Sequence, residues 1–252
     1  MFGWSLSAFS LPDTPPGKIT TIVIDAGHGG KDPGTMGTFT KEKDIAFNIA
    51  IQLGNLIRTH YPDINVVQTR YDKDKFVSLY DRAKIANRLN ADLFISIHCN
   101  ASSNSKAQGT ETYIMGLGAS EDNMEVAKRE NSVIFQERNY QKVYGGFDPN
   151  SPMTHILLAN YQHAYQESSL LMAEKIEEQF ASKQHRISRG VKQNTFIVLA
   201  KTSMPSVLVE VGFLSNEEDE AYLSSDLGQG YTVAALYRAF RDYKKSIEEN
   251  LE

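Results

Sequence analysis

The chain has 252 residues, 41% hydrophobic and 23% charged, a composition that excludes wholesale disorder and a helical membrane bundle. Lys and Arg total 26 against 31 Asp and Glu, a net charge of −5, so the surface as a whole does not attract nucleic acid or anionic membrane. The single cysteine, Cys99, excludes an internal disulfide, a zinc site made of four thiolates and a C-x-x-C redox pair, leaving His, Asp and Glu to hold any metal.

Met1 to Leu11 is apolar and uncharged, and Pro12, Pro15 and Pro16 follow. Residues 1–17 read as an N-terminal arm or the remnant of an export signal. No later stretch reaches the ~18 apolar residues that a membrane span needs. Thr21 to Asp25 is a short β-branched run that glycines end, and Ile45, Ile49, Leu53, Leu56 and Ile57 recur at helical spacing over about 43–59. A strand is predicted at 64–68, then a helix at 78–89 with Ser78 and Asp81 spaced as a capping box. Strands follow at 93–98 and at 110–114, the latter as an edge strand. Ser120 is expected to cap a helix with an acidic first turn. A long helix is predicted from about 156 to 181, strands at 196–199 and 207–211, a short helix capped by Asn216, and a last helix over about 230–247. Strands alternating with helices predict an α/β fold with a mostly parallel central sheet, in one domain over 18–252.

Ligands of such sheets bind beyond the carboxyl ends of the strands. Strand 21–25 runs into Gly27-His28-Gly29-Gly30, and strand 93–97 runs into His98-Cys99-Asn100. Parallel strands bring both imidazoles to one edge, and Glu42 sits just before the helix at 43–59 that lies between them. This His, Glu, His set suits Zn²⁺. Each residue also has a plainer reading: a hydrogen-bonded structural histidine for His28 and His98, a solvated helix-start charge for Glu42. Glu210 lies in an otherwise apolar strand, Pro205-Ser-Val-Leu-Val-Glu-Val-Gly-Phe. It shares a face with Leu208 and with Gly212, which would leave space beside the carboxylate. It reads as a general base or as half of a buried ion pair.

The blocks IVIDAGHGGKDPG, KEKD, TRYD, SLYDRAKIAN, ADLFISIHCNAS, GTETYIM, RGVKQNTFIVL and MPSVLVEVGFLSN follow one another from about Thr20 to the C-terminus. In that order they resemble the zinc-dependent N-acetylmuramoyl-L-alanine amidases of the type 3 class, which are cell-wall hydrolases. Ala26 stands where that family often has proline. The resemblance implies a six-stranded sheet flanked by helices on both faces. It implies one Zn²⁺ per chain held by His28, Glu42 and His98, with Glu210 as the catalytic base. The substrate implied is peptidoglycan, cut between the lactyl group of N-acetylmuramic acid and L-alanine. Asn100, Arg189 and Lys192 are the expected substrate contacts, and Asp25 the expected partner of a ligand histidine. Arg70 and Arg82 read as scaffold residues, each forming a salt bridge near the helix at 78–89. The implied location is extracytoplasmic, periplasmic or wall-associated, with a protein activator as a partner and neither nucleic acid nor a membrane span. A zinc peptidase or deacylase acting on another wall amide, or a wall-binding module without catalysis, are the competing readings. Some family members carry an inserted helix that blocks the zinc. Residues 139–155, which fill that place here, are short and contain Gly and Pro, so no blocking helix is expected, an expectation that metal contact by Glu125, Glu130 or Glu137 would overturn.

Overall fold

Six strands form one sheet: β1 (Thr21–Ala26), β2 (Asn65–Gln68), β3 (Leu93–Asn100), β4 (Thr110–Met115), β5 (Ser188–Asn194) and β6 (Ser206–Phe213), in the spatial order β2-β1-β3-β6-β4-β5. Neighbours are parallel except β4 and β6. They belong to a computed structural model that describes residues 17–117, 121–148, 164–184 and 186–249, with Ser151, Met153 and Ile156. The arm at 1–16, the cap expected at Ser120 and most of 149–163 lie outside the described residues. β3 and β6 bury every residue, because helices cover both faces of the sheet, and this accounts for their long apolar runs.

The helices are α1 (Glu42–His60), α2 (Leu79–Arg88), α3 (Glu121–Asn131), a 3₁₀ turn (Ser132–Gln136), α4 (Tyr140–Val143), α5 (Gln166–Gln184), α6 (Ile197–Ala200), α7 (Glu217–Ser224) and α8 (Asp226–Glu249). Ile45, Ile49, Leu53 and Ile57 of α1 meet Met172, Ile176 and Phe180 of α5 and Leu236 and Phe240 of α8 on one face. Leu79 and Ala86 of α2, Val126 and Ala127 of α3, and all of α6 cover the other. The Ser78 hydroxyl accepts from Asp81 N at 3.1 Å, as the capping box predicts. Asn216 caps α7 by accepting from Glu218 N and Asp219 N. α1 and α2 lie on opposite faces, and β1 has β2 on one side and β3 on the other. The chain therefore reverses direction across the sheet at β1/β3, where such folds open a crevice.

Two expectations need correction. β4 is not the edge strand; β5 lies outside it. β5 has the sequence SRGVKQN and is mostly half-buried or exposed, so it lacks the apolar signal of its neighbours. Residues 196–199 are not a strand: Phe196 leads into the single turn of α6. Asn131 holds that turn, its Oδ1 accepting from Ile197 N at 2.9 Å and its Nδ2 donating to Thr195 O at 2.8 Å.

Candidate metal centre and active site

Two buried arginines build the turn that carries His28. Arg82 donates to Asp25 Oδ1 (2.9 Å), Ala26 O (2.6 Å), His28 O (2.6 Å) and Val77 O (2.9 Å). Arg70 donates to Ala26 O (3.1 Å), Gly27 O (2.9 Å), Lys43 O (2.7 Å) and Lys73 O (3.2 Å). Arg82 thus makes the expected salt bridge, whereas Arg70 grips carbonyls. His28 has φ 58°, a left-handed conformation that costs free energy unless its surroundings enforce it, and Arg82 supplies part of that enforcement. Burial raises the Asp25 carboxyl, but Arg82, Thr69 and Ser96 outweigh it and hold the group below its usual range. Arg82→Met should therefore destabilise the fold by about 3–5 kcal/mol, the cost of stranding one member of a buried pair. Denaturant unfolding measures this, and a loss under about 1 kcal/mol would remove Arg82 from the account.

Asp25 is not the partner of a ligand histidine. It accepts instead from Thr69 Oγ1, Arg82 and Ser96 Oγ. Asp32 takes that role, with Oδ2 at 2.7 Å from His28 Nδ1. This leaves Nε2 of His28 facing inward.

His28 and His98 meet edge to face, with centroids 5.0 Å apart. The space allows no side chain at two glycines. A Cβ on Gly27 would lie 2.5 Å from the His98 ring, and one on Gly34 would lie 2.6 Å from both Glu42 Oε2 and the His28 ring. Glu42 opens α1 and is fixed by two backbone donors, Cys99 N to Oε1 (2.9 Å) and Thr35 N to Oε2 (2.7 Å). Its Oε1 is 3.1 Å from His28 Nε2 and 2.9 Å from His98 Nδ1.

A fourth residue joins them. Glu130 of α3 puts Oε2 at 3.0 Å from both His28 Nε2 and His98 Nδ1. His28, Glu42, His98 and Glu130 are all buried, each offering one ligand atom within 4.8 Å of the others. This overturns the expectation of an unblocked site. The blocking helix is α3, upstream of the Gly- and Pro-containing stretch. Its signal was present in the sequence: Glu130 falls four residues after Val126 and four before Ile134, an acid on an otherwise buried stripe.

This donor set fits a divalent cation. His28 Nε2 and Glu130 Oε2 are buried without a hydrogen-bond partner despite their proximity. Burial lowers the His98 imidazole, but Glu130 and Glu42 outweigh it and bring the group up to about 10. His28 is also driven well above its usual value, burial being overcome by Glu42 and Glu130. Burial raises Glu42, yet the histidines hold it down at about 2. Two imidazolium protons therefore balance two carboxylates, and one M²⁺ carries the same charge as those two protons.

His98 and Glu210 are register partners on β3 and β6. Both Glu210 oxygens are buried without a hydrogen-bond partner. Burial, and after it the charges of Glu130 and Glu42, drive this carboxyl well above its usual range. Arg129 Nη2 is 3.8 Å away, too far for the tight ion pair of the plainer reading. Gly212 makes room not for Glu210 but for Arg186, whose Nη2 would lie 2.8 Å from an added Cβ.

The three expected substrate contacts lie together beside Glu210. Arg189 and Lys192 stand on β5, not on a loop, and both donate to the buried Glu111. Asn100 Nδ2 donates to Glu111 Oε2 at 3.1 Å, and its Oδ1 accepts from Arg129 Nη2 at 2.9 Å. These residues line a cavity of about 480 Å³ that Arg129 of α3 also lines.

The family model described as N-acetylmuramoyl-L-alanine amidase matches residues 22–242. The chain is 32% identical over 209 residues to N-acetylmuramoyl-L-alanine amidase AmiA of Escherichia coli K12, covering 81% of this chain and 69% of that one. Among solved structures, an N-acetylmuramoyl-L-alanine amidase from Clostridium difficile 630 aligns with a TM-score of 0.67 and 28% identity, over 91% of this chain and 98% of that one. The CwlD amidase of Clostridioides difficile, solved in complex with the GerS lipoprotein, aligns with a TM-score of 0.66 and 25% identity, over 90% of this chain and 99% of that one. A matching sheet and a match over most of the chain lead to one conclusion: this chain belongs to the N-acetylmuramoyl-L-alanine amidase family.

Proposed function

We propose that the chain is a Zn²⁺-dependent hydrolase of the amide between the lactyl group of N-acetylmuramic acid and L-alanine of the peptidoglycan stem. His28, Glu42 and His98 would hold one zinc ion, and Glu210 would be the general base. The observation that carries this reading is the convergence of three ligand atoms beside a buried, unpartnered carboxylate on the next strand.

Bound there, zinc would acidify a water and polarise the scissile carbonyl. Glu210 takes the proton of the attacking water and hands it to the alanine nitrogen, because an amide expels its amine only once protonated. Asp32 fixes the tautomer of His28. Asn100, Arg189 and Lys192 would receive the acidic stem peptide in the cavity beside Glu210.

With Glu130 among the ligands the site is closed, so activity requires α3 to withdraw. Withdrawal removes a carboxylate beside Glu210 and admits water, and both changes return Glu210 toward the ionised form that a base needs. A protein partner that binds the α3–α4 segment would act as the activator. Action on wall polymer places the chain outside the cytoplasm, and no helix among the described residues is long and apolar enough to cross a membrane.

Mass analysis of digested peptidoglycan tests the bond. Free stem peptides beginning at L-alanine are expected, abolished by a chelator. Cuts inside the peptide would make it a peptidase, and binding without products a wall-binding module.

The raised histidines give a second test. At neutral pH both are protonated in the metal-free chain, so loading one zinc should release close to two protons. Apparent affinity should rise with pH across the range in which the two imidazoles lose their protons, His98 doing so near about 10 and His28 well above the usual imidazole range. Calorimetry in buffers of different ionisation enthalpy counts these protons, and a count near zero would remove the histidines as ligands.

A further inference from the structure

A second groove opens beside the site, and its chemistry differs from that of the cavity beside Glu210. It measures about 860 Å³ and is lined by Thr38, Phe39, Ser105, Gln108, Ser215 and Asn216, among others. Its charged lining groups are one cation, Lys106, against two carboxylates, Glu217 and Glu218. The cavity beside Glu210 has the opposite balance, with Arg129, Arg189 and Lys192 against Glu111 and Glu125. An anionic peptide suits the second list and is disfavoured by the first.

Phe39 is 63% exposed, yet its backbone is fixed. Glu220 of α7 accepts from the N–H groups of Thr38 (3.0 Å), Phe39 (2.9 Å) and Thr40 (2.9 Å), and from the Thr40 hydroxyl (2.8 Å). Gly37 permits this approach, since a Cβ there would lie 2.2 Å from Glu220 Oε1. The opposite wall is tied as well. Ser102 N donates to Ser215 Oγ at 3.0 Å, and Asn216 Nδ2 donates to Ser105 O at 2.8 Å. An exposed aromatic ring on a pinned loop is preorganised for a ligand. Surrounding hydroxyl and amide groups suit a neutral, polyhydroxylated ligand with one apolar face. The loop leads within three residues to Glu42, so the segment that carries Phe39 also leads into the helix that opens with a candidate metal ligand.

We propose that this groove binds the glycan strand of the wall polymer, N-acetylated hexosamine units stacking on Phe39, while the stem peptide enters the cationic cavity. The proposal rests on the amidase reading and adds to it a direction for the substrate across the site.

The test is titration of the isotope-labelled chain with tetra-N-acetylchitotetraose, a peptide-free glycan, followed by NMR. Shifts are expected at Phe39, Ser105 and Asn216. Phe39→Ala should weaken binding at least about tenfold, whereas Phe39→Trp should retain it. Shifts centred on Arg189 and Lys192, equal binding by Phe39→Ala, or no binding at about millimolar ligand would each overturn the assignment. Stem-peptide release from whole peptidoglycan is measured in parallel. Cleavage without chitotetraose binding ends this inference and leaves the amidase intact. Chitotetraose binding at Phe39 without cleavage, even by a Glu130→Ala chain, ends the amidase reading and leaves a glycan-binding groove.

Discussion

Glu130→Ala should raise basal release of stem peptides from purified peptidoglycan by at least about tenfold, equivalent to removing roughly 1.4 kcal/mol of closure. The expectation follows from where Glu130 Oε2 sits, 3.0 Å from the inward nitrogens of both histidines. On the proposed reading, a carboxylate there occupies the position that the attacking water and the scissile carbonyl would need. The substitution removes that ligand and leaves most of what holds α3. Val126 and Ala127 stay buried, Asn131 still caps α6, and Arg129 still reaches Asn100. Activation should therefore be partial, and adding Arg129→Ala should increase it further. A Glu130→Ala rate equal to or below that of the unaltered chain would show that α3 does not gate the reaction.

The second large effect is at Glu210. Glu210→Gln should lower turnover by about 10²–10⁴-fold, the usual worth of a positioned proton-transfer group, with zinc content unchanged. The glutamine keeps the shape and cannot accept the proton. The substitution should cost no thermal stability, because the carboxylate it replaces has no hydrogen-bond partner to lose. His28→Ala should behave differently, losing zinc and activity together. Metal content and turnover measured on both variants separate base from ligand. Turnover within about tenfold of normal in Glu210→Gln would end the general-base role.

The parts of this molecule that were legible in its sequence are those where one physical signal dominates. β3 and β6 are buried on both faces, so their apolar runs had one reading. His28 and His98 follow strands that run the same way, which sufficed to bring them together. The edge strand β5 was hidden because it is only half covered and therefore polar. α6 reads as a strand because a turn buried on all sides is as continuously apolar as one. Asp25 reads as the histidine's partner in place of Asp32, since the choice depends on a left-handed turn at His28 that no periodicity reports. Glu130 is the most instructive case. The acid on the buried stripe of α3 is visible in the sequence but what it meets is not, because the ligand set is assembled from residues more than thirty positions away.

The register of β3 against β6 has a wider consequence. His98 and Glu210 face each other across one step of a parallel ladder, a spacing of about 4.8 Å that backbone hydrogen bonds fix. On the proposed reading the distance between ligand and base is therefore inherited from the sheet, whereas the proposed glycan groove is walled by residues within 38–39, 105–108 and 214–218. Substitutions in those segments need not alter the spacing of His98 and Glu210. Glycan choice and chemistry are thus separable in this scaffold, while the proposed stem-peptide contacts on β3 and β5 stay tied to the sheet that sets the chemistry.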